Sequence, residues 1–208
     1  AEVVKRHDGL YVVADEIYEH INYVGKHSSI AHVDGMRERT IIVNGVSKAY
    51  AMTGWRIGFI AAPEWIVKAC NKLQGQYTSG PCSVSQKAAE AAYTTSQECV
   101  ETMRKAFERR RDLIVELASQ IPGLEVNKPE GAFYLFPKCS SFYGKSYEGK
   151  TINNSTDLAM FLLETGHVAT VGGDAFGDPD CFRMSYATSD DNIREAMKRI
   201  KETLALLK

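Results

Sequence analysis

Polar residues gather at three points where short apolar runs begin or end. Leu10-Tyr-Val-Val-Ala14 ends at Asp15-Glu16-Ile17-Tyr18. Thr40-Ile-Ile-Val43 leads into Asn44-Gly-Val-Ser-Lys48, and Arg56 opens the run Arg56-Ile-Gly-Phe-Ile-Ala61. Taken singly, Asp15, Ser47 or Lys48 reads as an ordinary loop residue. Taken together with an arginine eight residues after the lysine, they describe one polar edge. In α/β sheets the crevice beyond the carboxyl ends of parallel strands is where ligands bind.

Other chemistries find less support. The five histidines show no HExxH-like spacing, which argues against a metal site. Cys70, Cys82, Cys99, Cys139 and Cys181 are odd in number and scattered, so they read as free thiols in a reducing compartment. The formal net charge is -1, and the one basic cluster, Arg109-Arg110-Arg111, falls in a helical pattern as a solvated or salt-bridged face. Nucleic acid is not an expected partner. No apolar run reaches the roughly 18 residues of a membrane helix, and no signal peptide opens the chain. The expectation is a soluble, cytoplasmic protein.

The elements that must position the polar edge follow from periodicity. Leu10–Ala14, Thr40–Val43 and Arg56–Ala61 read as buried strands. A parallel crossover needs about a dozen residues or more. The shorter second connection therefore predicts that the third strand runs antiparallel to the second or leaves the sheet. Pro63 suits the first turn of a helix striped by Ile66, Val67, Ala69, Cys70 and Leu73. Ser83–Thr95 is a second helix. The longest, about 97–120, carries Val100, Met103, Phe107, Ile114, Leu117 and Ile121, and Pro122-Gly123 stops it.

The remainder mixes short strands, at 124–126, 132–136, 168–171 and 182–186, with helices. Asp157–Thr165 is capped by Ser155 or Thr156 and stopped by Gly166. A last helix is capped by Ser189 or Asp190 and striped by Ile193, Ala196, Met197, Ile200 and Leu204. Gly172-Gly173 reads as a turn. The expected boundary lies near 97. Ala1–Asp8 reads as the end of a helix with no initiator Met, so the chain is expected to begin inside a larger domain.

These residues match a family. Asp15-x-x-Tyr18, then Ser47-Lys48 followed by Gly54-x-Arg56-x-Gly58, resembles the class I, fold-type I aminotransferases that use pyridoxal phosphate. The tract Asn44–Gly58 is most similar to the branch holding bacterial aspartate aminotransferases. Gly131-Ala-Phe-Tyr134, Gly172–Gly177 and Phe182–Ser189 fall in the family's order, so the resemblance covers essentially the whole chain. It implies a truncated α/β fold-type I architecture. Residues 1–96 are the C-terminal part of the large, mostly parallel domain, and 97–208 are the long helix and an α+β small domain.

The resemblance also implies roles. Lys48 supplies the amine for the resting Schiff base with the cofactor aldehyde, and then moves a proton between substrate and cofactor. A buried Asp15 keeps the pyridine nitrogen protonated. Tyr18 donates to the ring oxygen. Arg56, with Ser47 as helper, holds the phosphate through a planar fork, and Arg183 clamps the substrate α-carboxylate in the same way. Trp55 and Phe133 read as core neighbours of these residues. Amino acid and 2-oxo acid are the implied substrates, aspartate foremost, and a homodimer is implied for the intact protein.

Two departures qualify the match. Many relatives carry a hydroxyl residue where Gly45 stands, so one phosphate hydrogen bond is missing. The family's earlier half, with its phosphate loop, ring-stacking aromatic, an Asn to the ring oxygen and a partner's Tyr, has no counterpart in residues 1–208. The 208 residues alone are therefore expected to be catalytically dead. Two other functions share the motif: a β-lyase on the same fold, and an aminotransferase-like effector domain of a transcription regulator.

Overall fold

The polar edge is built on a sheet of three short strands. The computed structural model describes residues 1–208. After a short helix α1 (Glu2–Lys5), strand β1 (Val12–Asp15) pairs in parallel with β2 (Thr40–Gly45), with Asp15 opposite Val43. Strand β3 (Gly58–Ala61) runs antiparallel to β2, as the short connection predicts, and the sheet order is β1-β2-β3. Helices α2 (Glu64–Tyr77) and α3 (Ser83–Thr94) follow, then the long α4 (Glu98–Ser119). Pro63 stands at the N-cap of α2 rather than within its first turn.

The chain divides into two compact units, Ala1–Arg104 and Lys105–Lys208. The division falls inside α4, whereas the boundary expected at 97 lies just before that helix begins.

In the first unit the buried apolar residues include Ile21, Met36, Val46 and Ala49. Helix α2 buries none of its side chains, and its expected stripe stands out of the core, with Leu73 60% exposed. Val13, Trp65 and Tyr77 are exposed as well. A core made of loop residues, with bare helix and strand faces, is the reverse of the usual distribution.

The second unit encloses a conventional core. Strand β4 (Tyr134–Leu135) comes first, and β5 (Ser146–Tyr147) and β6 (Lys150–Thr151) form a separate hairpin. Helix α5 (Ser155–Gly166) leads to β7 (Val171–Gly172), β8 (Phe182–Ser185) and helix α6 (Asp190–Leu204). The sheet order is β4-β8-β7, all antiparallel. Leu135, Leu158, Leu162, Phe182, Tyr186 and Ile200 are fully buried. The stripe expected for α6 is the buried one, with Ile193, Met197, Ile200 and Leu204 inside.

Local expectations differ in three places. The strand expected at 124–126 is reduced to a single bridge, Glu125 to Lys138. The N-cap of α5 is Asn154, whose side chain accepts from the Asp157 N–H, instead of Ser155 or Thr156. Gly166 is the last residue of that helix, and His167 supplies the left-handed cap at φ +54°. A Cβ on Gly166 would meet Thr203 Oγ1, so close packing against α6 explains the glycine.

Candidate active site

Gly45 and Gly58 are directly paired across β2 and β3, so residues 46–57 form one closed loop that carries both Lys48 and Arg56. The closure depends on both residues being glycine. A Cβ on Gly45 would lie 2.9 Å from the Gly58 Cα and 3.0 Å from the Ile57 carbonyl oxygen. That contact gives a physical reason for the absent hydroxyl at this position. Val46 and Ala49 are buried and anchor the turn, which leaves Ser47 and Lys48 half-buried beside them.

An aromatic cluster fastens the loop to α3. The Tyr50 hydroxyl donates to Gln97 Oε1 at 2.6 Å, and the Tyr50 and Tyr93 rings meet edge-on at 5.3 Å. Phe59 packs on Tyr93 at 5.8 Å. Burial foremost, helped by Tyr50 and Glu19 nearby, pushes the Tyr93 phenol up to about 12. It therefore stays protonated and serves as a packing residue.

On the neighbouring strand end, Tyr18 sits in a turn at 17–20 closed by Glu19 N–H to Glu16 C=O and Ile21 N–H to Tyr18 C=O, both 2.9 Å. The Lys48 Nζ lies 5.9 Å from the centre of the Tyr18 ring. No carboxylate is within ion-pair distance of Lys48. The amine of one loop and the phenol of the other are thus neighbours.

Sequence reasoning missed what holds that turn. Glu16 is buried and accepts from Ser29 Oγ at 2.5 Å, while its other oxygen lies 2.9 Å from His27 Nε2. Glu19 accepts from the amide of buried Asn44 at 2.9 Å, tying the turn to the end of β2. The signal was present as Glu16 beside Asp15 and Asn44 beside Gly45, but the partners lie 11 to 25 residues away in sequence. Glu16, Glu19 and His27 are close enough to hold a metal ion; their ligand atoms lie within 4.8 Å of one another. Ser29 and Asn44 already occupy oxygens of both carboxylates, so the group reads as a hydrogen-bonded brace.

Asp15 and Arg56 are more open than expected. Asp15 is exposed, not buried; it accepts from the Ile17 N–H at 3.2 Å and from no cation. It ends a sheet edge whose β1 side has no further strand, so nothing in the first unit covers it. Arg56 is exposed too, with one guanidinium N–H on the Thr53 carbonyl at 2.9 Å. Its backbone is left-handed, φ +53° and ψ +52°. Non-glycine residues rarely occupy this region, and such outliers cluster at functional sites. Arg56 also lines a cavity of about 570 Å³ with Asn44, Asn71 and Gln74. The cavity of about 760 Å³ beside His32, Arg37 and Pro63 includes none of the expected site residues. Trp55, expected as a core neighbour, is 45% exposed.

In the second unit, Arg183 lies on β8, directly opposite Val171. Its guanidinium carbon is 4.4 Å from the centre of the Tyr134 ring and 4.1 Å from that of Phe176. It forms no ion pair. Phe133 packs on Phe107 at 5.2 Å, in keeping with its reading as a core neighbour.

The family model for aminotransferase class I and II matches residues 1–200. The chain belongs to this family. A bifunctional aspartate aminotransferase and glutamate/aspartate-prephenate aminotransferase of Petunia hybrida is 50% identical over 213 aligned residues, covering 100% of this chain and 44% of that protein. An aspartate aminotransferase of Rhizobium meliloti (strain 1021) is 46% identical over 96% of this chain and 49% of its own length. The crystal structure of an aspartate aminotransferase from Rhizobium meliloti superposes with a TM-score of 0.95 at 44% identity, over 100% of this chain and 52% of that one. An aromatic aminotransferase from Pyrococcus horikoshii gives 0.89 at 41% identity, over 98% of this chain and 53% of that one. The chain thus spans about half the length of the relatives it matches, and its fold is the fold-type I α/β fold over that half.

The residues of this aminotransferase family member fit one side of a pyridoxal phosphate site. The donor set contains an amine free of carboxylates, a phenol beside it, an open carboxylate, and a guanidinium with no acid partner. None of Lys48, Asp15 and Arg56 forms an ion pair, so their charges remain available to a bound group.

Of the residues expected to act, Asp15 ends β1, Tyr18 lies in the turn just after it, and Ser47, Lys48 and Arg56 lie on the loop that joins β2 to β3. Arg183 stands in the other unit. Its two aromatic neighbours could have been sought in the Gly131-Ala-Phe-Tyr134 and Gly172–Gly177 motifs, where each is a motif residue. The arginine run lies within the second unit's ion pairs: Arg109 and Arg110 meet Asp190, and buried Arg111 meets Glu108, Asp112 and the Pro129 carbonyl. No helix is long and apolar enough to cross a membrane.

Proposed function

We propose that the protein transfers an amino group between an amino acid, aspartate foremost, and a 2-oxo acid, with pyridoxal phosphate as cofactor. The observation that carries this reading is Lys48: a half-buried amine, beside Tyr18 and unpaired with any carboxylate, on the loop that follows β2. Aspartate as donor is supported by the aspartate aminotransferase activities of the Petunia and Rhizobium relatives.

Pyridoxal phosphate, when bound, supplies an aldehyde carbon and a ring that accepts electrons from it. Lys48 anchors that carbon and afterwards serves as the base and acid at the substrate Cα. Tyr18 places a phenol beside the Lys48 amine, where a hydrogen bond can tune proton affinity. Asp15 offers a carboxylate to the ring nitrogen, and Arg56 and Ser47 offer donors to the phosphate. Arg183 binds the α-carboxylate of the substrate. A homodimer belongs to the same reading.

Borohydride treatment of the protein as its gene encodes it, loaded with pyridoxal phosphate, followed by peptide mapping, tests the assignment. The pyridoxyl group should be found on Lys48. A label on another lysine, or none, would overturn it.

A further inference from the structure

Arg183 is a charged group with two aromatic rings close to its guanidinium and no acidic partner. The β8–β7 register sets Val171 opposite it, and the β4–β8 register sets Tyr134 opposite Ser185. Ser185 is two residues along the strand from Arg183, so Tyr134 is a diagonal neighbour on the same face. Phe176 arrives differently. It ends a 3-10 turn, Gly173–Phe176, that follows β7 directly. Gly173 is buried and packs on the carbonyls of Asp178 and Cys181 with no space for a side chain, and its N–H donates to Ser155 Oγ at 3.0 Å. Gly177 then turns the chain at φ +83°. The result is a rigid arm that holds Phe176 over the Arg183 guanidinium, although Phe176 itself is 44% exposed.

We infer that Tyr134 and Phe176 are positioning residues that fix the plane of the Arg183 guanidinium for bidentate capture of a carboxylate. The inference rests on the reading of Arg183 as the α-carboxylate clamp. Guanidinium faces stack on aromatic rings, while the N–H donors all lie in the plane and point outward. Rings stacked in this way would leave the donors free for an acceptor that approaches edge-on. Aspartate or glutamate side chains would compete for those donors, and the structure provides none. Bidentate carboxylate binding needs both N–H groups aimed together, so a guanidinium held in one plane loses less freedom on binding. The rings also select. A planar carboxylate fits the open edge, whereas an uncharged group gains nothing from it.

The test uses the protein as its gene encodes it, loaded with cofactor, and calorimetric titration with succinate, a carboxylate with no amino or keto group. Phe176→Leu and Tyr134→Leu should each weaken succinate binding by about tenfold, the size of a desolvated cation–π contact. Phe176→Tyr and Tyr134→Phe keep the aromatic face and should bind within about twofold of the parent. A double-mutant cycle separates positioning from general damage. In an Arg183→Lys background, Phe176→Leu should have almost no further effect, because the planar group it orients is gone. Additive losses would overturn the inference, as would leucine variants that bind succinate normally. Arg183→Lys binding like the parent would instead sink the clamp reading itself. Should one leucine variant fail to fold, the other and its cycle with Arg183→Lys decide the matter.

Discussion

The Lys48 amine and the Tyr18 ring, 5.9 Å apart, are brought together by the segments that follow two neighbouring parallel strands, β2 and β1. Lys48→Arg would keep a cation over the ring but remove the only primary amine there. Turnover should fall by about 10²–10⁴-fold from loss of the proton-transfer role alone, and borohydride trapping at this position should vanish. Steady-state assays with aspartate and 2-oxoglutarate, with the trapping experiment beside them, check both outcomes.

Arg56 combines two properties that substitution can separate. Its left-handed backbone favours glycine, and its guanidinium has no acid partner. Arg56→Gly should relieve backbone strain of about 1 kcal/mol while cofactor affinity falls by about 1.5–3 kcal/mol, the worth of a charge-assisted hydrogen bond. Melting without cofactor should thus hold or rise as the cofactor dissociation constant increases. A parallel fall in both would show that the side chain supports the loop itself.

How far the sequence led depends on the range of the interactions. The first unit's strands and the α6 stripe are written in local periodicity, the direction of β3 in the shortness of its connection, and the Lys48-to-Arg56 tract is a contiguous motif. Glu16's partners, His27 and Ser29, were not legible because no periodic pattern links a strand end to a loop 11 or 13 residues on. The apolar residues of α2 carried a stripe, yet the helix buries none of them. A stripe reports that a face can be buried; it does not say what covers it. Exposed Asp15 is the same case at a single residue.

The glycine pair that closes the Lys48 loop admits a direct check. Gly45→Ser would add a hydroxyl at the base of the loop, but its Cβ would meet the Gly58 backbone at 2.9 Å. Overpacking of this kind costs about 1–3 kcal/mol. Chemical denaturation should show that loss, and cofactor affinity should fall instead of rising, because strand β3 and Arg56 would be pushed away together.

Two thiols should be silent in the folded protein. Burial foremost pushes Cys139 up to about 11 and Cys181 up to about 12, with Asp178 and Asp180 nearby adding to both. At pH 8 each is held as the unreactive thiol, since the thiolate is the nucleophile. Alkylation at that pH should leave both unmodified until denaturant is added, and mass mapping before and after unfolding would show it. Rapid native labelling of either would mean that the second unit opens easily around β8.

The brace beneath Tyr18 gives the last prediction. Glu16 is buried and is the point where three segments meet: the end of β1, the turn at 17–20, and the loop carrying His27 and Ser29. Glu16→Ala would leave the Ser29 hydroxyl without its acceptor in a buried place and open a small void. Stability should fall by about 1–3 kcal/mol, the penalty for an unsatisfied buried partner. Activity should fall further than stability explains, because the loop carrying His27 and Ser29 would no longer be tied to the strand end that leads into the Tyr18 turn. His27→Ala removes only the more exposed partner and should cost less on both counts. Comparison of the two variants by denaturation and by the absorbance of the bound cofactor checks the ranking. Equal effects would place the work in His27 and not in the buried carboxylate, and a normal cofactor spectrum in Glu16→Ala would show that Tyr18 holds its place without the brace.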